Sequence, residues 1–190
     1  MTKADVVLIG PGLGENSKAE VVFQMVLEHI SEHQILIIDG SALNLLAKAK
    51  PITVKTNHLI LTPHQKEWER LSGIAISNQT IENTKAALQE FPEQTVLVAK
   101  SHQTKIIQGN QVGELTVGGP YQATGGMGDT LCGMIAAYLP SLKTISLTVL
   151  PQQRTYIPTS LINLANKYYV VLPTTISAEL PRIMKEFSER

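Results

Sequence analysis

The sequence predicts an α/β fold built on a mostly parallel sheet, and three observations carry that prediction. Four short apolar runs, rich in β-branched residues and free of charge, stand at Val6–Ile9, Ile35–Ile38, Leu59–Leu61 and Thr95–Ala99. Parallel strands covered on both faces read as such continuous runs, not as alternating ones. Helical patterns follow the runs, which is the signature of strands joined by crossover helices. A later pair of strand-like segments around Gly109-Asn110 adds a β-hairpin. A length of 190 residues favours a single domain with room for a sizeable core.

In chain order, the first strand ends at Gly10-Pro11-Gly12-Leu13-Gly14. Asn16 or Ser17 then caps a helix whose apolar positions include Val21, Val22, Met25, Val26 and Ile30. Asp39-Gly40-Ser41 closes the second strand and opens a short helix through Leu43, Leu46 and Ala47. Pro63 starts a helix through Trp68 and Leu71, and Gly73 stops it. Asn78 caps the next, with Ile81, Lys85 and Leu88. Lys105 to Gln108, the Gly109-Asn110 turn and Gln111 to Val117 form the hairpin. Gly125 to Leu139 is a glycine turn feeding an apolar helix. In such sheets ligands bind outside the carboxyl ends of the strands, so the loops there are the candidates for chemistry.

Composition narrows the function. Sixteen Lys plus Arg balance sixteen Asp plus Glu, which lacks the positive excess of a nucleic-acid or membrane-surface binder. With 43% hydrophobic and 17% charged residues, the chain is not of the disordered class. Cys132 is the single cysteine, which excludes an intramolecular disulfide and a multi-cysteine zinc site. No apolar run approaches the roughly 20 residues of a membrane span. Met1-Thr2-Lys3-Ala4-Asp5 lacks the basic start and long apolar stretch of a signal peptide. The expectation is a soluble cytoplasmic protein with neither nucleic-acid nor membrane partners.

The strongest local signal is Thr124-Gly125-Gly126-Met127-Gly128-Asp129. Gly125, Gly126 and Gly128 let backbone N–H groups approach an anion, and the following helix points its positive dipole end to the same place. Asp129 beside a phosphate makes poor electrostatic sense unless it handles a proton or a metal; otherwise it is a helix cap. Gly10-Pro11-Gly12-Leu13-Gly14 has G-x-G-x-G spacing, not the dinucleotide fingerprint, and reads equally as a tight turn or as a close backbone approach to ligand. His64 follows the third strand at the carboxyl-end rim, as a ligand contact or as a capping group, with Glu67 placed to orient its ring. Lys100 can neutralise phosphate, and Ser101-His102-Gln103-Thr104 can hold an adenosine group; the stretch also reads as an ordinary loop. Asp39 is read as a cap of the helix after it in preference to a metal ligand, and Cys132 as a packing residue. Neither G-x-x-x-x-G-K-[ST] nor G-x-S-x-G occurs, which excludes P-loop and nucleophile-elbow chemistry.

Taken in order, these segments resemble the ADP/ATP-dependent NAD(P)H-hydrate dehydratases of the ribokinase-like superfamily. The matching stretches are IGPGLG at 9–14, IIDGSALNLLA at 37–47, LILTPHQKEWERLSG at 59–73, VLVAKSHQTKII at 96–107, TGGMGDTLCGMIAAYL at 124–139 and VVLPTTISAELPRIMKEF at 170–187. The resemblance implies a ribokinase-like three-layer α/β/α fold with a mostly parallel sheet and a hairpin. It implies ADP or ATP held by Lys100, Ser101, His102, Gln103 and Thr104, with Gly128 under the phosphates and magnesium as cofactor. Hydrated NADH or NADPH would meet Gly12, His64 and Asp129, and Asp129 would be the catalytic proton acceptor. Phosphorylating the ring hydroxyl would turn a poor leaving group into a good one, and elimination of phosphate would restore the reduced nicotinamide. A ribokinase-like kinase of a vitamin-precursor alcohol, or a catalytically dead nucleotide-binding remnant, would use the same residues.

The sequence departs from the family pattern in three places. His64 is followed by Gln65-Lys66 where the family commonly has Pro-Gly. The strand at Val6 comes almost at the first residue, so residues 1–190 read as one domain lacking the family's N-terminal portion, incomplete at that end. The wholly apolar Val6–Ile9 is expected inside the sheet, and a chain short of cover is expected to be marginal as a monomer and to form a homo-oligomer through an exposed sheet edge. Residues 146–165 do not match the small-residue helix expected there, and Pro151 and Pro158 oppose it. Read two nucleotides out of frame, Pro151 to Pro158 permits Ala-Ala-Thr-Tyr-Ile-His-Ser, which predicts a short frame-shifted window restored before Lys167.

Overall fold

The protein is described from a computed structural model, which covers residues 3–49, 51–115, 124–139 and 171–188. Its strands β1 (Val6–Ile9), β2 (Ile35–Ile38), β3 (Leu59–Leu61), β4 (Val96–Ala99), β5 (Lys105–Gln108) and β6 (Gln111–Glu114) lie side by side in chain order in one six-stranded sheet. The first four are parallel, and β5 and β6 are antiparallel additions. Gly109, with φ 52°, makes the tight hairpin turn between them.

Period-two burial sorts the side chains into two layers. Leu36, Ile38, Leu59, Leu61, Leu97 and Ile107 face one side of the sheet, while Ile35, Ile37, Ile60, Val96, Val98 and Ile106 face the other. Helices α1 (Ser17–His29), α2 (Ser41–Lys48), α3 (Gln65–Ser72) and α4 (Ile81–Leu88) cover the first side through Phe23, Leu43, Trp68 and Leu88. They share that side because the parallel strands are added in one direction and their crossovers keep one hand. The chain covers the other side with α5 (Met127–Tyr138), through Leu131, Ile135 and Leu139. Helix α6 (Pro173–Ser188) packs Ile176 and Leu180 beside Met134. The expected three layers are therefore present.

Several local expectations are corrected. On α1 the buried positions are Ala19, Phe23, Leu27 and Ile30, whereas Val21, Val22 and Met25 are exposed. The buried set follows the i, i+4 stripe that faces the sheet. Asn16 caps this helix, accepting from the Ala19 N–H at 3.0 Å. Helix α3 begins after Pro63, with His64 as its N-cap, and ends at Gly73 in the left-handed region. Thr80, not Asn78, caps α4; Asn78 lies in a 3₁₀ turn, Ile76–Asn78. Among the described residues β1 pairs only with β2, and Val6, Val7 and Leu8 are half-buried, so this strand is not interior here. Val117 and residues 146–165, with the frame-shift reading, lie outside the described residues.

One close approach fixes the upper rim of the sheet. Gly10 has φ 124°, and a Cβ there would stand 1.7 Å from the Asp39 carbonyl oxygen. Only glycine fits. The turns after β1 and β2 therefore interlock, and Ser41 Oγ donates to the Gly10 carbonyl at 3.0 Å.

Candidate active site at the carboxyl ends of the strands

Asp39, Thr62 and Lys100 stand just past the ends of β2, β3 and β4, and their side chains meet. Lys100 Nζ donates to Asp39 Oδ1 at 2.7 Å, and Thr62 Oγ1 donates to the same oxygen at 2.7 Å. Asp39 is buried, and Lys100 keeps 22% of its side chain exposed. Burial pushes the Asp39 carboxyl upward, but the Lys100 hydrogen bond and charge, helped by Thr62, outweigh it and hold the group below the ordinary carboxylate value. Asp39 is thus not the side-chain cap expected from sequence. Helix α2 has Gly40 at its N-cap with no side-chain cap, and Asp39 supplies only its carbonyl to the Ala42 N–H.

Cys132 Sγ lies 3.4 Å from Thr62 Oγ1. Burial, reinforced by the Asp39 charge, pushes its thiol up to about 12. It remains a protonated thiol and packs, as its sequence setting suggests.

The first turn of α5 closes over this cluster. Gly126, with φ 81°, is its N-cap, and no side chain caps the helix. A Cβ on Gly128 would lie 3.6 Å from Lys100 Nζ and 3.9 Å from Asp39 Oδ2. The Gly128 backbone therefore sits directly against the ion pair, with its glycine leaving the approach open. Gly125 and Gly126 are exposed. Asp129 is exposed, and among the described residues its carboxylate has no hydrogen bond or ion pair. The Lys100 ammonium and the uncapped start of α5 thus meet at Gly128, and Asp129 lies exposed in the same first turn.

His64 is committed to structure through one edge of its ring. Nδ1 accepts from the Lys66 and Glu67 N–H groups at 3.1 and 3.2 Å, while Glu67 Oε2 accepts from the His64 N–H at 2.8 Å. This reciprocal box satisfies the start of α3. An Nδ1 that accepts leaves the proton on Nε2, which stands 3.5 Å from Glu67 Oε1 on a half-exposed ring. The backbone ties the neighbourhood together: the Lys100 N–H donates to the Pro63 carbonyl at 2.8 Å, which sets His64 beside Lys100. A cleft lined by His64, Trp68, Thr84, Lys100 and Lys105 opens on the α3–α4 side of this pair.

The remaining candidates are less tightly gathered. The loop Ser101–Thr104 closes on itself, with Thr104 Oγ1 donating to the Ser101 carbonyl at 3.2 Å. Ser101, His102 and Gln103 are exposed. Gly12, with φ 66°, stands at the end of β1 and faces open space. The structure thus brings Lys100, Gly128 and His64 into one neighbourhood, with Gly12 and the loop at its margins. Asp39 and Thr62 hold the cluster together; sequence reasoning gave Asp39 another role and did not single out Thr62. The one available signal was a carboxylate at the end of a wholly apolar strand, where a charge needs a partner. Among the described residues no group of three or more His, Cys, Asp or Glu gathers as a metal site.

Comparison with known proteins places the chain among characterised relatives. A family model described as NAD(P)H-hydrate dehydratase matches residues 1–182. The chain is 53% identical to the ADP-dependent (S)-NAD(P)H-hydrate dehydratase of Streptococcus thermophilus, over 97% of this chain and 67% of that protein. It is 47% identical to the Streptococcus pneumoniae enzyme of the same name, over 97% and 64%. Among solved structures, a hypothetical protein of Streptococcus mutans superposes with a TM-score of 0.92 at 55% identity, covering 98% of this chain and 67% of that one. The ADP/ATP-dependent NAD(P)H-hydrate dehydratase of Bacillus subtilis, co-crystallised with ATP/Mg2+, superposes with a TM-score of 0.77 at 28% identity, covering 98% and 66%. The chain spans about two thirds of the length of the curated relatives it matches. On these matches the chain belongs to the NAD(P)H-hydrate dehydratase family.

Proposed function

We propose that this protein dehydrates hydrated NADH or NADPH at the expense of ADP or ATP and so returns a damaged cofactor to use. The observation that carries the reading is the approach of the Lys100 ammonium to Gly128 in the uncapped first turn of α5, which also carries Asp129, exposed and unpartnered among the described residues. The family membership and the names of the close relatives support it.

In this reading the nucleotide's terminal phosphoryl group lies against Gly128 and Lys100, with its adenosine end toward Ser101–Thr104. The hydrated nicotinamide ring reaches in past Gly12 and His64. Asp129 takes the proton of the ring hydroxyl as its oxygen attacks phosphorus and the bond to the nucleotide's leaving phosphate breaks. Lys100 and the helix N–H groups offset the negative charge that builds on the phosphoryl oxygens. Loss of the ring phosphate, with a proton from the neighbouring carbon, then leaves the double bond of the reduced nicotinamide. The described residues do not make a dedicated metal cage, so magnesium would travel with the nucleotide's phosphates and water. The compartment that fits this chemistry is the cytoplasm, and among the described residues no helix is long and apolar enough to cross a membrane.

The test is to incubate the protein with ADP, magnesium and hydrated NADH. The expected result is reappearance of NADH absorbance together with release of AMP and phosphate. Phosphorylation of a small alcohol with no action on hydrated NADH would reassign the site to a kinase, and ADP binding without any reaction would leave a binding remnant.

A further inference from the structure

We propose that Asp39 is a positioning residue: its carboxylate holds the Lys100 ammonium against the Gly128 backbone, where the transferred phosphoryl group must pass. The proposal rests on the dehydratase reading for the identity of the reaction, though not for the geometry.

Three observations carry it. Asp39 is 3% exposed, a depth at which an ionised carboxylate is costly unless paired. Its Oδ1 accepts from both Lys100 Nζ and Thr62 Oγ1 at 2.7 Å, so the acceptor is itself fixed by a group on a neighbouring strand end. The held ammonium lies 3.6 Å from where a Gly128 Cβ would be, at the helix entrance and not out in solvent. A lysine is otherwise a flexible stem carrying a compact, strongly hydrated charge. Held through one N–H, Lys100 keeps two donors for an anion.

Electrostatics sets the sign of the effect. A carboxylate beside an anion site opposes anion binding, so Asp39 does not serve ground-state affinity. Its value lies in the geometry of the reacting complex, where a misplacement of about 1 Å costs up to roughly a hundredfold in rate.

The test compares the whole chain with Asp39→Asn by three readouts: turnover of hydrated NADH with ADP, calorimetric titration of ADP, and thermal unfolding. The expected result is a kcat lower by roughly ten- to a hundredfold, with ADP affinity held within about threefold or tightened, since the charge removed is negative. A kcat within about twofold of the unmodified chain overturns the proposal. So does a loss of ADP affinity as large as the loss of kcat, which marks a merely structural residue. Should Asp39→Asn fail to fold, Thr62→Val removes the second donor to the same oxygen and keeps the ion pair. It should lower kcat about three- to tenfold, the scale of one hydrogen bond, at unchanged ADP affinity; unchanged kcat overturns the proposal. If the unmodified chain does not consume hydrated NADH, the dehydratase reading fails by itself. The Lys100 side-chain ammonium resonance in NMR then decides: slow to exchange in the unmodified chain and lost in Asp39→Asn, or faster to exchange in Thr62→Val where that is the variant that folds, supports the proposal, and a resonance unchanged in the variant overturns it.

Discussion

Helices α3 and α5 both begin at the carboxyl-end rim of the sheet, and they end their backbones in opposite ways. At α3 the N-cap is His64, whose Nδ1 accepts two backbone N–H groups while Glu67 reaches back to the His64 N–H. At α5 the N-cap is Gly126, and no side chain caps the turn. Each carries an acid in its first turn, yet Glu67 is buried and bonded while Asp129 is exposed and unpartnered among the described residues. A helix start has several N–H groups without internal acceptors. The first helix spends them on its own side chains and becomes a fixed wall. At the second, the Met127 N–H bonds the Thr124 carbonyl, and no side chain takes the Gly128 N–H beside Lys100, where an anion can take it.

Exchanging the two acids for amides gives the largest expected contrast. Asp129→Asn should lower turnover by about two to four decades, the scale of general-base loss, with nucleotide binding nearly intact. Glu67→Gln keeps an oxygen that can accept from the His64 N–H, and turnover should stay near that of the unmodified chain. Paired steady-state kinetics and ADP titration check both. Near-normal turnover in Asp129→Asn would remove Asp129 from the mechanism.

Next in size is the steric contrast at the open helix. Gly128 has an ordinary negative-φ backbone, and the nearest atoms to a Cβ there are the Lys100 and Asp39 heads at 3.6 and 3.9 Å. Gly128→Ala should therefore fold, gaining up to about 1 kcal/mol of helix propensity. The added methyl fills the approach to the Gly128 backbone, so ADP affinity should fall by roughly tenfold, about 1.4 kcal/mol. Unfolding scans and ADP titration together read the opposed signs. A lowered melting temperature with unchanged ADP affinity would move the anion site elsewhere.

Lys100→Ala touches both ligand and fold. ADP binding should weaken more than binding of the hydrated dinucleotide; equal losses would point to unfolding. Removing Lys100 also strands the buried Asp39 carboxylate, a cost of up to about 3 kcal/mol. In the unmodified chain the Asp39 carboxyl is held below its unfolded value of about 3.9. Its contribution is then fully present above that value and is lost as pH falls through the folded one. The stability deficit of Lys100→Ala should be largest near neutral pH and shrink as pH falls toward and through the carboxylate range, because burial without Lys100 pushes the stranded Asp39 carboxyl upward and its protonation removes the charge. Denaturant melts at a series of pH values measure this, and a pH-independent deficit would mean that the pair contributes through packing alone.

What the sequence disclosed follows from where each signal is written. Strands β1 to β4 were legible because a strand covered on both faces needs an unbroken apolar run. The glycine turn before Asp129 was legible because backbone approach demands glycine locally. The buried face of α1 was not, since Val21, Val22 and Met25 are as apolar as Phe23 and Leu27, and only the sheet beneath decides which stripe is covered. Asp39 was misread for a related reason. Its partners Thr62 and Lys100 are 23 and 61 residues away, and an ion pair closed through space leaves no periodic or local pattern.

The smallest expected effect separates the two employments of the His64 ring. Its Nδ1 edge is the α3 cap, and its Nε2 edge belongs to a half-exposed ring beside Lys100. His64→Ala removes both and should cost about 1 kcal/mol of stability, the usual price of a lost cap, or roughly 2–4 °C in melting temperature for a chain of this size. His64→Asn keeps a side-chain oxygen that can accept from the first-turn N–H groups, so its melting temperature should return to within about 2 °C of the unmodified chain. It lacks the ring and its Nε2–H donor. If that donor meets the hydrated nicotinamide, the KM for hydrated NADH in His64→Asn should rise about three- to tenfold, the worth of one hydrogen bond, at unchanged ADP affinity. A variant that recovers both stability and KM assigns His64 to the wall of the site alone and leaves α5, with Asp129, to meet the substrate.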